Sequence, residues 1–251
     1  MTEWHKVDMP ENAMVLAAGL GVRMRPLTQT VPKPLLQIGG RAMLDQVLDR
    51  LEDAGVARAV VNTHWLPEMI ESHLETRTAP HIEISRETEL LETGGGIVNA
   101  LPKLGNAPFF VTNADIVWRD GTRSALDRLA QAWESDRMDA LLLLIPSVRT
   151  TGYQGVGDFM MDSNGNLVRR PERQVSPFVF GGVQIVSPRI FRDTPAGTFS
   201  LNLLYDRIIK SKRLYGIVHD GDWYHVGTPI ELEQVEAEIL EKEGSRVRLL
   251  F

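Results

Sequence analysis

Cysteine is absent from the 251 residues, which excludes disulfides, thiolate nucleophiles and cysteine-ligated zinc. Long apolar runs are absent too. The longest aliphatic stretch, residues 141–145, is far short of the roughly 20 residues that span a bilayer, and the opening six residues have no apolar signal core. Nor is there an excess of positive charge. The 27 basic residues stand against 33 acidic ones, a net −6, so the chain offers no general attraction to nucleic acid or to an anionic membrane. Neither Gly-x-Ser-x-Gly nor His-Glu-x-x-His occurs, which removes the hydrolases built on them. The expectation is a soluble cytoplasmic protein whose anion-binding sites are local.

The length suits one large α/β domain or two small ones. No repeat, low-complexity segment or linker divides the chain, so a single domain over 1–251 is expected, with 1–12 as an N-terminal extension. Strand patterns at 13–18, 57–62, 81–85 and 109–113 alternate with helical spacing at 43–51, 68–74 and 95–101, which predicts a mostly parallel sheet with helices on both faces. The second half reads as more antiparallel, with a hairpin over 157–170 around Ser163-Asn164-Gly165-Asn166 and a further strand at 178–186. Thr228-Pro229-Ile230-Glu231 is a capping box with proline at the first helical position, and it opens a helix expected over 229–243.

The chemistry is concentrated behind the first strand. Leu16-Ala17-Ala18-Gly19-Leu20-Gly21-Val22-Arg23-Met24-Arg25-Pro26-Leu27-Thr28 is followed by Pro32-Lys33-Pro34. Glycines at a strand end let successive N–H groups curl toward an anion, and Arg23 and Lys33 add full charges beside them. A dinucleotide fingerprint needs a third glycine where Met24 stands, which disfavours a dinucleotide-dependent oxidoreductase. The Gly-Lys-Ser/Thr of a P-loop is absent. A second landmark, Asn113-Ala114-Asp115, sets a carboxylate just past a strand, where hard-oxygen Mg²⁺ ligands belong in an α/β sheet.

Together these residues resemble the sugar-phosphate nucleotidyltransferases, whose signature is Leu-Ala-(Gly/Ala)-Gly-x-Gly-x-Arg-(Leu/Met)-x-Pro-x-Thr followed by Pro-Lys-Pro. The resemblance runs from about residue 13 to 227 and thins toward its end. It implies a GT-A-like, Rossmann-like nucleotidyltransferase fold: α/β, with a mostly parallel mixed central sheet, flanking helices and an antiparallel lid. It also implies an enzyme that joins a nucleoside triphosphate to a sugar 1-phosphate and releases pyrophosphate. By that resemblance Ala17, Ala18, Gly19, Gly21 and Arg23 bind the nucleotide phosphates, Lys33 bridges the attacking and α-phosphates, and Asp115 holds Mg²⁺, with Mn²⁺ as an alternative.

The segment Glu89-Leu90-Leu91-Glu92-Thr93-Gly94-Gly95-Gly96 corresponds to the base side, so Glu89, Thr93 and Gly94 are expected there, the glycines leaving free N–H groups. Its form is most similar to the N-acetylmuramate-1-phosphate uridylyltransferases of cell-wall recycling. Mannose-1-phosphate guanylyltransferases come next, and a glucose-1-phosphate thymidylyltransferase is a further alternative. Asn113, Asp158, Arg170 and Gly182 correspond to sugar-phosphate positions. The chain departs from the pattern at Trp223-Tyr224-His225-Val226-Gly227-Thr228, where the family writes Trp-x-Asp-x-Gly-Thr. His225 replaces a metal-binding aspartate there. Imidazole is a poor Mg²⁺ ligand but suits Mn²⁺ or Zn²⁺. His225 as ligand, substitution by Asp220 or Asp222, or a weakened site in a nucleotide-binding regulatory relative all remain open, and no sequence feature sets an oligomeric state.

Overall fold

The computed structural model describes residues 9 to 248, so most of the expected N-terminal extension lies outside the described residues. The first half contains β1 (Asn12–Leu16), the short strands β2 (Gln37–Ile38) and β3 (Arg41–Ala42), α1 (Met43–Asp53), β4 (Arg58–Thr63), α2 (Pro67–Leu74), β5 (His81–Arg86), α3 (Glu92–Leu104) and β6 (Phe109–Asn113). The second contains β7 (Val117–Arg119), α4 (Ala125–Ala132), β8 (Ala140–Pro146), β9 (Thr150–Thr151), β10 (Phe159–Met161), β11 (Leu167–Arg169), β12 (Phe178–Val186), α5 (Asn202–Lys210), β13 (Leu214–Val218), β14 (Asp222–Tyr224) and α6 (Pro229–Arg248).

The parallel half is the run β6-β1-β4-β5. Strand period decides which face each side chain takes. Ala13 and Val15 pack with Leu44, Val47, Leu48 and Leu51 of α1 on one face, while Met14 packs with Ile97, Ala100 and Leu104 of α3 and with Leu204 and Ile208 of α5 on the other. Each fully buried leucine or isoleucine of this kind contributes about 1.5–3 kcal/mol. The antiparallel half is continuous with the same sheet. β12 runs against β6 and β8, the hairpin β10–β11 joins at the start of β12, and β13 lies parallel to β8.

Residues 141–145, conspicuous in the sequence only as an aliphatic run, lie in β8, buried between β12 and β13. A separate small sheet, β7-β14-β9, sits beyond the end of β6. α6 continues past 243 to Arg248, because one glycine at 244 costs about 1 kcal/mol without ending a helix. Its Val235 and Ile239 are buried with Met24, Ile38, Met43 and Val226, which anchors the helix against the loop behind β1. Among the described residues no helix is long and apolar enough to cross a membrane.

Candidate active site

Parallel register sets Leu16 beside both Asn62 and Asn113 at the carboxyl ends of β1, β4 and β6, and a cleft of about 480 Å³ opens over these strand ends. β1 stops at Leu16, so Ala17 and Ala18 belong to the loop and line the cleft with Gly19, Gly21 and Arg23. Gly21, at φ +60°, starts a tight turn over Val22–Met24. Its carbonyl accepts a 2.7 Å hydrogen bond from the Oγ1 of buried Thr28. A Cβ on Gly21 would lie 2.9 Å from Thr28 Cγ2 and 3.3 Å from Lys33 Cβ, whereas one on Gly19 would meet nothing within 4 Å. Gly21 is therefore needed for the turn, and Gly19 faces open space.

Lys33 and Asp115 meet at the cleft wall. Nζ lies 2.5 Å from Oδ2, with the lysine side chain 11% exposed and the carboxylate 33%. Limited water around the pair strengthens its attraction relative to a surface pair. Asn113 is brought against Gly182: a Cβ there would lie 3.1 Å from Asn113 Nδ2. Gly182 has φ +80° and sits in an irregularity of β12 between Phe180 and Gln184; it does not itself line the cleft, and its left-handed backbone and close packing against Asn113 and Ile116 explain the glycine.

His225 follows β14. Its N–H donates to the Thr151 carbonyl at 2.9 Å, and its ring stacks on Trp223 and meets the edge of Tyr153. A Cβ on Gly227 would lie 2.8 Å from His225 Nε2, 3.0 Å from Arg23 Nη1 and 3.0 Å from Glu231 Oε2. Three side chains thus converge on that α-carbon. Burial holds the His225 imidazole below its ordinary pKa; Glu231 opposes the shift, Lys33 and Arg23 add to it, and Asp115 opposes it. The ring is consequently neutral at pH 7, the form that ligates metals. The two aspartates considered as substitutes are engaged elsewhere. Asp220 accepts from Arg128 and Thr122, and Asp222 from Lys242.

The base side differs from expectation. Glu89 is exposed and does not line the cleft. Thr93 does line it, and its Oγ1 accepts from the Leu201 N–H at 2.8 Å. The N–H groups of Gly94 and Gly95 are not free, since both donate to the Phe199 carbonyl at 2.9 and 3.1 Å. A Cβ on Gly94 would fall 2.3 Å from the Phe199 ring, so close packing explains that glycine. Asp158 and Arg170 also lie off the cleft. Asp158 Oδ2 accepts from the Phe180 N–H, and the Arg170 guanidinium donates to the carbonyls of Gly157, Pro171 and Gln174. These bonds brace the segment around the hairpin, and neither side chain lines the cleft. Among the polar cleft residues, Asn62, Glu87, Glu92 and Ser200 are not singled out by the sequence, and of these Asn62 and Glu87 are buried. Asn62 ends the expected second strand, a strand-end position equivalent to that just before Asp115, but it carries no charge that would mark it in the sequence. Glu87 lies two residues past Ser85 on the same inward face, and strand period could have singled it out over Glu89.

A glycine-containing loop flanked by Arg23 and Lys33 opens to a cleft over parallel strand ends, an arrangement suited to phosphorylated ligands on an α/β sheet. The chain belongs to the nucleotidyl transferase family, whose model matches residues 12–242. It is 42% identical over 237 residues to the N-acetylmuramate alpha-1-phosphate uridylyltransferase of Caulobacter vibrioides, covering 92% of this chain and 98% of that one. It is 36% identical over 230 residues to the enzyme of the same name from Neisseria meningitidis serogroup B, covering 90% and 96%. The fold is shared with a UDP-glucose pyrophosphorylase solved with UDP-glucose, at a TM-score of 0.77 and 19% identity over 93% of this chain and 100% of that one. The Rossmann-like nucleotidyltransferase fold implied by the resemblance is the fold present.

Proposed function

We propose that the chain transfers a uridylyl group from UTP to N-acetylmuramate α-1-phosphate, giving the UDP-sugar and pyrophosphate. The observation that carries this reading is the 42% identity to an enzyme of that name across nearly the full length of both chains. An oxygen of the sugar phosphate attacks the α-phosphorus while the bond from that phosphorus to the α–β bridging oxygen breaks, and pyrophosphate departs with the electron pair. The attacking phosphate is already ionised at neutral pH, so no protein base is needed. Catalysis is then alignment and charge neutralisation. The N–H groups of residues 19 to 23 and the Arg23 guanidinium hold the β- and γ-phosphates. Lys33, steadied by Asp115, presents its ammonium to the α-phosphate and the incoming phosphate, and Asn113, which lines the cleft and packs against Gly182, receives the sugar.

The reading includes a divalent cation. Among the described residues no three histidine or acidic side chains cluster to hold one, which suits an ion bound through a single carboxylate, Asp115, and completed by substrate phosphates. Neutral His225 is the second candidate ligand and widens the choice toward Mn²⁺. When bound, the ion supplies positive charge between the two anionic substrates. On this reading the product is a cell-wall nucleotide sugar, made in the cytoplasm during recycling.

The test is pyrophosphate release across UTP, GTP, CTP and dTTP with a panel of sugar 1-phosphates, each with Mg²⁺, Mn²⁺ and EDTA. Release with UTP and N-acetylmuramate 1-phosphate, abolished by EDTA, is expected. Preference for GTP with mannose 1-phosphate, or dTTP with glucose 1-phosphate, would move the substrate within the family. Nucleotide binding without release would make the chain a regulatory relative.

A further inference from the structure

Two walls of the cleft, the loop behind β1 and the segment leading into α3, are joined by a single chain of hydrogen bonds. The Ala17 N–H donates to Asn62 Oδ1 at 2.7 Å. Asn62 Nδ2 donates to Glu87 Oε1 at 2.7 Å. Glu87 Oε2 accepts from the Leu91 N–H at 3.0 Å. Asn62 and Glu87 are 2% and 4% exposed, yet both border the cleft. A buried carboxylate is costly unless its oxygens are hydrogen-bonded, and here both are taken by protein donors.

The chain of bonds has a strict logic. Its two ends are backbone donors, so the two side chains between them must present three acceptors and one donor. One amide and one carboxylate meet that requirement in either order. Two amides leave a donor facing a donor, and two carboxylates leave an acceptor facing an acceptor. α3 makes room for the pair at Gly96, where a Cβ would lie 2.6 Å from Glu87 Oε1 and 2.8 Å from Asn62 Nδ2.

We propose that Asn62 and Glu87 are a positioning pair that sets the spacing between the triphosphate loop and the base-side wall, so that nucleotide affinity depends on their hydrogen bonding as a unit. The inference rests on the nucleotidyltransferase reading of the cleft and not on which base it takes. It is tested with Asn62→Asp, Glu87→Gln and the double variant, which is close to isosteric, conserves charge and restores every donor–acceptor junction in reverse order. UTP binding by titration calorimetry, urea unfolding and the kinetics of pyrophosphate release are the readouts. Each single substitution is expected to weaken UTP at least tenfold and to raise its KM while kcat stays within about threefold. The double variant should return within about threefold of the parent protein.

Single variants that bind like the parent but unfold at lower urea would overturn the proposal and leave a stability role. A double variant no better than the weaker single would overturn it as well. Where a single variant does not fold, Gly96→Ala serves instead, since it keeps every donor and acceptor but crowds Glu87: weakened UTP is expected, and unchanged affinity refutes the pair. A parent protein that binds a different triphosphate overturns the UTP assignment alone, and the series is then read with that triphosphate. A parent that binds none removes the nucleotidyltransferase reading of the cleft and this inference with it.

Discussion

Lys33 holds Asp115 through an ion pair at the cleft wall, and its ammonium makes no other bond among those described, so its removal should affect chemistry more than folding. Lys33→Ala is expected to lower turnover at least about a hundredfold, the scale for losing one preorganised charge at a reacting centre, with the urea midpoint nearly unchanged; near-parental turnover would take Lys33 out of the mechanism. Lys33→Arg should not rescue it, because a planar guanidinium is not a point charge on a flexible stem. At Gly227 a methyl group would crowd the tips of the three side chains around the α-carbon, so that at least one must shift. Gly227→Ala should displace Arg23 and reduce turnover about tenfold or more in steady-state assays. The loop, Lys33 and Asp115 are legible in the sequence by their spacing, and the structure brings them together at the cleft. Glu89 and Arg170, expected at the site, do not line the cleft, because charge alone does not say where a side chain points. Glu89 ends up exposed, and Arg170 donates to the carbonyls of Gly157, Pro171 and Gln174 on either side of its hairpin.

β12 changes neighbours part-way along. Its start pairs with β10, its end with β6, and the register against β8 shifts between Phe180 and Gln184. The Trp223 indole N–H donates to the Gly181 carbonyl inside that irregularity, so the bend is pinned from the small sheet. Gly182→Ala would force φ +80° on a residue with a Cβ and press it to 3.1 Å from both Asn113 Nδ2 and Ile116 Cγ2. A cost of about 1–3 kcal/mol follows, seen as a lower urea midpoint together with weaker binding of the sugar phosphate. At the other end of the site, Thr228 Oγ1 accepts from the Glu231 N–H, and Glu231 returns a carboxylate to the Gly227 N–H, one residue earlier than a standard capping box predicts. Strands 109–113 and 178–186 were readable to the residue, because apolar and β-branched runs were bounded by clear breaks. β8 and β13 were not read as strands, since a short apolar run fits a buried helix equally well without its partners.

The molecule also carries a built-in acid limit. His219 is 1% exposed, its Nε2 faces the carbonyls of Arg119 and Asp222, and its Nδ1 has no partner. A second proton would be buried without an acceptor, and burial accordingly lowers its pKa, against the pull of those carbonyls. The unfolded chain therefore binds a proton more readily than the folded one near pH 6. Stability should be level above the unfolded value of about 6.5 and fall as pH drops below it. Urea midpoints between pH 5 and 8 should show that slope, and His219→Gln should flatten it; an unchanged slope would assign the acid limb to other groups, His225 among them. What the sequence determined by itself was local: the alternation of strand and helix, the phosphate loop, the carboxylate behind β6 and the capped terminal helix, all of which depend on neighbours a few residues apart. What tertiary structure alone decided was which distant groups share an environment. The Asn62–Glu87 link, the convergence of Arg23, His225 and Glu231 on Gly227, and the diversion of Asp220 and Asp222 to Arg128 and Lys242 all join residues that periodicity and spacing cannot relate, because burial and hydrogen-bond partners are set by how the sheet brings its strand ends together.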